Sequence, residues 1–396
     1  MDFAGELRAA MAARSIGVRA LARRVPCDPG AISRLASGKR QPSVQMARRL
    51  DDVLTADGKL VALAREPLPR AAAGALADHI PLAMLLPSPF RIEAGRRPGL
   101  TLDTAETVLT RLYRIDAEIG GNDLCAVVAG YLRDAAQMFA REPARAGTGA
   151  RLHQVMGGLT QIAGWLSIDA SRHADARRYL TATVYASHEA GDLGLAGHAL
   201  GYMSLSALYR NQHHEALSLA ETAIDLTRAA SPATRAVVRT RAARALARDG
   251  SSDACRRQLD LAQADFESGA GPEPEPLWCR YVDRIELAAQ RGACFLDLGM
   301  SSDAIRSLTE AIGLIESSAP GRVRDLAHYE IRVALAHLRG GDAEAAVGVA
   351  GHAQALAGQI GSERVRERFG EMASALAACD SRAAQEFASS ARDRAR

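Results

Sequence analysis

The stretch ALARRVPCDPGAISRLASGKRQPS, residues 20–43, decides the architecture of the N-terminus. Asp28-Pro29 predicts the start of a helix, because aspartate is a favoured N-cap and proline suits the first helical position. Gly38 predicts the end of that helix, since glycine readily adopts the left-handed conformation found after a helix C-terminus. The stretch therefore predicts two short helices, over 18–25 and 29–37, joined by a tight turn.

Apolar residues recur at helical spacing on both sides of this stretch. Their spacing predicts a helix over 2–14, a fourth helix that begins after Ser43, and a fifth over 57–65. Asp51-Asp52 falls late in the fourth helix, and both carboxylates are expected at the surface. Two short helices joined by a tight turn inside such a bundle form the helix-turn-helix arrangement.

Basic residues are concentrated in this N-terminal segment. The first fifty residues contain ten basic and three acidic side chains, a net charge of +7, whereas the whole chain carries only +3. The net charge of the remaining residues is therefore −4. A compact basic head on a mildly acidic body is typical of a module that binds phosphate groups, although a solvated charged surface would show the same balance.

Three segments resemble the Cro-repressor (XRE) family of helix-turn-helix regulators: Leu21-Ala22, Ile32-Ser33-Arg34-Leu35 and Gly38-Lys39-Arg40-x-Pro42-Ser43. The resemblance covers about residues 6–64. In that family the third helix enters the major groove of DNA. The resemblance therefore implies a five-helix domain over residues 1–66 that binds double-stranded DNA.

The family's DNA-facing positions can be carried over residue by residue. They are occupied here by Arg19, Pro29, Gly30, Ala31, Ser33, Arg34, Ser37, Lys39 and Arg40. Pro29 and Gly30 depart from the family pattern, because neither can donate a side-chain hydrogen bond to a base. Arg34 is then expected to read a guanine edge, with another phosphate contact as the alternative. The other basic residues of the set are expected to position the domain on the DNA backbone.

Residues 67–103 contain six prolines, which would interrupt any long helix. They predict a connector between the N-terminal domain and a body over 104–396. The apolar run over 80–86 is too short to cross a bilayer and is expected to dock on the body. Because the chain has no 18 consecutive apolar residues, we expect no membrane association.

The body shows helical periodicity throughout and no convincing strand. Aromatic residues make up only 4% of the chain and alanine is frequent, which favours closely packed helices over a β-sandwich. Small anchor residues recur in successive helices: Ala176, Ala216, Ala254, Ala304 and Ala346. A small residue also precedes each anchor by twelve positions: Gly164, Ser204, Ala242, Gly292 and Ala334. Small residues there predict a close approach of the two helices of a pair. The predicted fold class is all-α, with paired helices in the body.

The anchor pattern resembles tetratricopeptide repeats, most closely over 197–228 and 285–316. The repeat is longer than usual and its aromatic positions are largely missing, so a generic α-solenoid is the alternative. Either way, a single pair cannot bury its own apolar face, and stacked pairs enclose a concave groove. In this register the groove would be faced by Gln161, Trp165, His198, Tyr209, Arg239, Glu286 and His328. Trp165 is the most ligand-like of these, with packing or solvation as the alternative for each.

No catalytic or metal-binding motif is evident in the sequence. The chain contains no HExxH, no GxSxG and no phosphate-binding glycine loop. His213-His214 falls at a repeat turn and is expected to be solvated, and none of the six cysteines forms a CxxC pair. We therefore expect a protein with reduced thiols, without a metal or cofactor, and without enzymatic activity.

These features predict a sequence-specific transcriptional regulator in the cytoplasm, associated with the nucleoid. The order of domains resembles Cro-type regulators with tetratricopeptide sensor domains, which implies a homodimer whose body binds a peptide, a small molecule or a protein partner. A helical-repeat scaffold with weak, non-specific DNA tethering is the alternative, and the departures at Pro29 and Gly30 favour it. An antitoxin-like repressor is disfavoured, because the body is larger than the neutralisation of one partner requires.

Overall fold

The computed structural model shows an all-α protein. It describes residues 3–25, 27, 29–38, 42, 44–56, 58–64, 102–119, 121–141, 148–269, 274–358, 360 and 362–394. The chain divides into two compact units, residues 1–80 and 81–396. The predicted connector over 67–103 lies outside the described residues, apart from Leu102 and Asp103, which begin a helix of the second unit.

The first unit contains the five helices that the sequence predicts. They are α1 (Phe3–Ala13), α2 (Val18–Arg24), α3 (Pro29–Ala36), α4 (Val44–Leu54) and α5 (Lys59–Ala64). The bounds agree with the predicted ones to within two residues. Gly38 has a φ of +71°, as expected for the residue after the end of α3.

Each of the five helices contributes at least one large aliphatic side chain to a single core. These side chains are completely buried and belong to Leu7, Leu21, Ile32, Leu50 and Leu60. Burial of each stabilises the fold by about 1.5–3 kcal/mol relative to an exposed position. Because α3 contacts both α1 and α2, this core fixes the orientation of α3 within the unit.

Asp51 is buried, and this corrects the expectation that it lies at the surface. Its side chain is only 7% exposed, while Asp52 is exposed as predicted. The Asp51 carboxylate accepts hydrogen bonds from the backbone N–H groups of Gly58 at 2.6 Å and Leu60 at 2.8 Å. These bonds satisfy donors at the start of α5, which have no partner within the helix. Asp51 therefore joins α4 to α5.

The second unit begins with two helices, α6 (Leu102–Ile119) and α7 (Gly121–Arg141). Twelve helices follow as six pairs: α8 (Thr148–Asp169) with α9 (His173–Ala190), α10 (Leu193–Tyr209) with α11 (His213–Leu226), α12 (Pro232–Arg248) with α13 (Ser252–Glu267), α14 (Arg284–Asp297) with α15 (Ser301–Ser318), α16 (Val323–Arg339) with α17 (Ala343–Ala357), and α18 (Glu363–Ala377) with α19 (Arg382–Arg394). A short 3-10 helix, Leu277–Cys279, precedes α14. Among the described residues, no helix has the length and apolar character needed to span a membrane.

The first helices of the pairs form an inner layer that closes on itself. Each of α8, α10, α12, α14, α16 and α18 contacts the next, and α8 also contacts α18. Asp169, the last residue of α8, is fully buried where the two ends meet. Its Oδ1 accepts hydrogen bonds at 3.0 Å from Ser362, the N-cap of α18, and from Arg364. The solenoid of the second unit is therefore a closed turn.

The predicted close approach within helix pairs is present. Gly164 on α8 packs against Leu180 on α9, and a Cβ atom added at Gly164 would lie 2.6 Å from the leucine Cγ. Gly292 on α14 packs in the same way against Leu308 on α15, and a Cβ atom added at Gly292 would also lie 2.6 Å from the leucine Cγ. The small residues that precede the anchors therefore set the spacing of the paired helices.

Four of the five predicted anchors are completely buried, and the register of the remaining pair is corrected by one residue. The buried anchors are Ala176, Ala216, Ala304 and Ala346. Ala254 is only partly buried, and Cys255 fills its place at 0% exposure, followed by Leu259 and Ala262. Cysteine packs as a small apolar residue, so a pattern built on alanine missed it.

Candidate functional site

Four of the DNA-facing residues inferred from the sequence lie on one exposed side of α3. Ile32 and Leu35 point into the core, whereas Pro29, Ser33, Arg34 and Ser37 are exposed. These four residues define the outer face of α3. The face follows from helix geometry, since Pro29, Ser33 and Ser37 follow one another at intervals of four residues and so share one side, and Arg34 is adjacent to Ser33.

The remaining residues of the predicted DNA-binding set are placed as follows. Arg19 is exposed near the start of α2, and Gly30 is half-buried on α3. The Ser37 hydroxyl donates a hydrogen bond to the backbone carbonyl of Arg34 at 3.2 Å, so part of its hydrogen-bonding capacity is used locally. Lys39 and Arg40 lie outside the described residues.

Positive charge covers the surface of the first unit. Every arginine that the structure describes in this unit is exposed: Arg8, Arg14, Arg19, Arg23, Arg24, Arg34, Arg48 and Arg49. Exposed guanidinium groups can donate to phosphate oxygens without first being released from the protein interior. The unit therefore presents a helix with an exposed outer face on a basic surface, which suits contact with DNA.

Comparison with known proteins agrees with this geometry. Residues 2–64 match the family described as a helix-turn-helix domain. No curated protein matches the chain. The first unit is therefore a helix-turn-helix DNA-binding domain.

The second unit contains a cavity of about 450 Å³. All six inner helices contribute lining residues, together with α6 and the segment around the 3-10 helix. Both tryptophans of the chain and five of its eight tyrosines line it. In a chain with few aromatic residues, this concentration marks the body cavity as a candidate ligand site, because ligand pockets are rich in aromatic side chains.

The structure brings most of the predicted groove residues together at this cavity. The residues that line it are Gln161, Trp165, Tyr209, Glu286 and His328. His198 lies behind the lining, where its Nε2 is 3.0 Å from the hydroxyl of Tyr281. Arg239 lies elsewhere, because its Nε donates to Asp265 on α13 at 2.6 Å. A ligand-binding role for these residues remains a prediction.

Arginines also line the cavity, and the repeat pattern did not predict them there. Six line it among the described residues: Arg241, Arg280, Arg322, Arg324, Arg332 and Arg364. Arg241 stands two residues after the predicted Arg239, and this offset places it on the opposite side of α12. A usable signal was present for Arg332, since it interrupts the apolar run of residues 331–336, where a charged residue needs a reason.

Most of these arginines are paired with carboxylates. Arg241 donates to Glu286 at 3.0 Å, and Arg322 bridges Asp283 at 2.7 Å and Asp325 at 2.8 Å. Such pairing offsets much of the cost of removing the charges from water.

Asp169 supplies the negative charge where α8 meets α18 and the ring of inner helices closes. Burial alone would raise the pKa of this carboxyl, but the guanidinium groups of Arg364 and Arg324, with the hydrogen bonds from Arg364 and Ser362, lower it below its usual range. Asp169 is therefore ionised and holds two cations, one from α16 and one from α18.

Tyr209 lies in a strongly positive part of the cavity wall. Burial would raise the pKa of its hydroxyl, but the charges of Arg364, Arg332, Arg368 and Arg244 lower it to about 8. The positive charges that act on Tyr209 thus exceed what the nearby carboxylates neutralise.

Among the described residues, no group of three or more histidine, cysteine, aspartate or glutamate side chains is arranged to hold a metal ion.

Proposed function

We propose that the protein is a sequence-specific transcriptional regulator of the XRE type, whose tetratricopeptide-like body binds a ligand and mediates dimerisation. The observation that carries the proposal is the presence, in one chain, of a helix-turn-helix domain with an exposed outer face of α3 and a body cavity lined by aromatic residues and arginines. We further propose that it acts in the cytoplasm on nucleoid DNA and has no enzymatic activity.

The proposed mechanism couples the two units through a dimer. Two DNA-binding domains bind half-sites one helical turn apart only when their placement matches that spacing. A ligand that binds one arrangement of the body more tightly than another shifts the population toward that arrangement. Occupancy of the body cavity would in this way change the affinity for the operator.

The first test is DNA footprinting on the DNA upstream of the protein's own coding sequence. A protected site with two related half-sites is the expected result. Uniform protection of all DNA, with no preferred site, would contradict sequence-specific regulation.

Arg34 is proposed to read a base from the outer face of α3. Arg34→Ala should relax discrimination at one base pair by about 1–3 kcal/mol. Lys39→Ala should instead weaken binding to all DNA alike and reduce the salt dependence of the affinity. Equal losses for Arg34→Ala on the operator and on random DNA would assign Arg34 to the phosphate backbone.

A scaffold that tethers weakly to DNA is the second candidate. Its specific support is that Pro29 is exposed at the front of the outer face of α3, where it offers no side-chain donor to a base. This candidate predicts shallow binding that depends on salt but not on sequence, so the footprinting experiment separates the two functions.

A further inference from the structure

Arg332 is a buried cation without an acidic partner. It lies on α16, lines the body cavity and is only 9% exposed. None of the carboxylates in the described residues forms an ion pair with it, and its Nη1 has no hydrogen-bond partner. Burial first, and then the like charge of Arg244, lower the pKa of Arg332 to about 10, so the guanidinium remains charged at neutral pH. Such a group destabilises the ligand-free protein.

His328 supplies a second unpartnered donor one helical turn from Arg332. Its Nε2 lies 3.3 Å from Nη1 of Arg364. A guanidinium can only donate, so Nε2 is the acceptor and the ring proton resides on Nδ1. This Nδ1 is buried and has no partner. Residues four positions apart share one side of a helix, which places both donors on the same side of α16.

On the residues that line the cavity, the buried polar atoms without a partner are mostly donors. Among the described lining residues they are Nη1 of Arg241, Nη1 of Arg332, Nδ1 of His328 and Oε1 of Gln290. The same lining contains six arginines against three acidic residues. Buried polar groups nearly always have partners, so this donor surplus indicates a missing acceptor with negative charge.

The rest of the lining is suited to a flat apolar group. Trp165 and Tyr202 stack at 5.1 Å between ring centroids, and we call this pair the aromatic wall. Guanidinium groups lie over both rings, Arg364 over Trp165 and Arg241 over Tyr202, so a ligand would meet the ring edges. The cavity volume of about 450 Å³ is in the range of pockets that bury a small molecule. Aromatic side chains bind planar groups by offset stacking or edge contacts.

We propose that the body cavity binds a small organic anion, with its acid group at Arg332 and His328 and its planar body against the aromatic wall. The inference rests on the proposed function in taking the body cavity as the ligand site, but the binding step itself requires no DNA. A carboxylate and a phosphate monoester offer the same acceptor chemistry, and the experiment separates them.

Isothermal titration calorimetry on the full-length protein tests the proposal with three probes: 3-indolepropionate, phenyl phosphate and the uncharged 3-indolepropionamide. We expect at least one anion to bind, and to bind at least about tenfold more tightly than the amide, because the amide leaves the buried charge unneutralised. The preferred anion identifies the acid group. Absence of binding by both anions up to their solubility limits, or equal binding of the carboxylate and its amide, would overturn the proposal.

Substitution of Arg332 locates the anion. Arg332→Met should weaken anion binding at least about tenfold and raise the melting temperature of the ligand-free protein, because it replaces an unpaired buried charge with an apolar side chain. The matched control is Arg239→Met, which changes an arginine outside the cavity and leaves Asp265 its second partner, Arg235. This control should bind the anion as the wild type does.

Each outcome is informative. A folded Arg332→Met variant that binds the anion as tightly as the wild type would refute the site. If that variant does not fold, Arg332→Gln removes the charge and keeps polar character, and the same comparison applies. Operator affinity is measured separately. Anion binding that leaves operator affinity unchanged would refute the proposed regulation but not the site, whereas intact operator binding without anion binding would refute the site alone.

Discussion

Arginine is used in opposite ways in the two units. In the first unit, every described arginine is exposed, including Arg34 on the outer face of α3. In the second unit, Arg241, Arg244, Arg332 and Arg364 are each at most 9% exposed. An exposed guanidinium keeps its water until a phosphate replaces it, whereas a buried one has already lost that water on folding. The arginines of the first unit therefore stay accessible to an outside anion such as a phosphate, while the buried arginines of the body mostly have carboxylate partners within the body, with Arg332 as the exception.

The test of this contrast with the largest expected effect removes a buried carboxylate from the body. Asp169→Ala should lower the free energy of unfolding by about 3–5 kcal/mol, because it leaves the buried Arg364 without its carboxylate. Urea denaturation measures the change. The control is Ser171→Ala, because Ser171 donates to Glu367 in an exposed contact between the same two ends of the ring. Ser171→Ala should lower the free energy of unfolding by no more than about 1 kcal/mol. Similar losses for both variants would show that burial does not decide the contribution.

The second test addresses the cores, which also differ. The core of the first unit relies on large aliphatic side chains, whereas two helix pairs of the body also pack a glycine closely against a leucine, at Gly164 and at Gly292. Gly164→Ala should destabilise the protein by about 1–3 kcal/mol, because the new methyl group collides with Leu180. Gly348→Ala on α17 meets no atom within 4 Å and should instead stabilise by about 0.5–1 kcal/mol. Thermal denaturation would reveal the opposite signs, and equal signs would contradict the proposed role of Gly164.

The third test concerns Asp51, the one charged residue that is buried among the described residues of the first unit. Asp51→Ala should cost about 1–2 kcal/mol, since it leaves the N–H groups of Gly58 and Leu60 without their acceptor. Hydrogen exchange at these two amides is the most direct measurement, and exchange should accelerate. Asp52→Ala removes an exposed charge and should leave their exchange unchanged. Slow exchange in Asp51→Ala would mean that α5 does not depend on this cap.

The smallest expected effect is the ionisation of one tyrosine. Because the pKa of Tyr209 is about 8 in the folded protein and near 10 in an unfolded chain, tyrosinate formation should stabilise the fold as the pH rises from about 8 to 10. An absorbance titration should show one tyrosinate forming near pH 8, which Tyr209→Phe abolishes. Tyr281 should stay protonated in this range, because burial raises its pKa. An unchanged titration curve in Tyr209→Phe would contradict the positive field at this wall.

Much of the fold could be predicted from local sequence signals. Asp28-Pro29 and Gly38 bracket α3, and the small residues near Gly164 and Gly292 predict close helix pairs. Cys255 was missed because the pattern considered alanine alone. Local spacing defines which residues share a side of a helix, but not the identity of every residue that can fill the position.

The candidate site was only partly predictable. Most groove residues inferred from the repeat register do line the cavity, but Arg239 was chosen where Arg241 lines it, because a small error in rotational register moves a residue to the other side of the helix. The lack of an acidic partner at Arg332 depends on neighbours from other helices, which no local pattern contains. The bond between Asp169 and Arg364 joins residues 195 positions apart, beyond the reach of any repeat pattern.

That bond also changes how the body can lose its structure. An open solenoid can fray from a terminal repeat, because each repeat touches only its neighbours. Here the last inner helix is fastened to the first, so α18 cannot detach without uncovering Asp169 and opening the body cavity. We therefore expect the six pairs to melt in a single cooperative step. For the same reason, a seventh helix pair inserted into the series would move α18 away from α8. We expect such an insertion to destabilise the body.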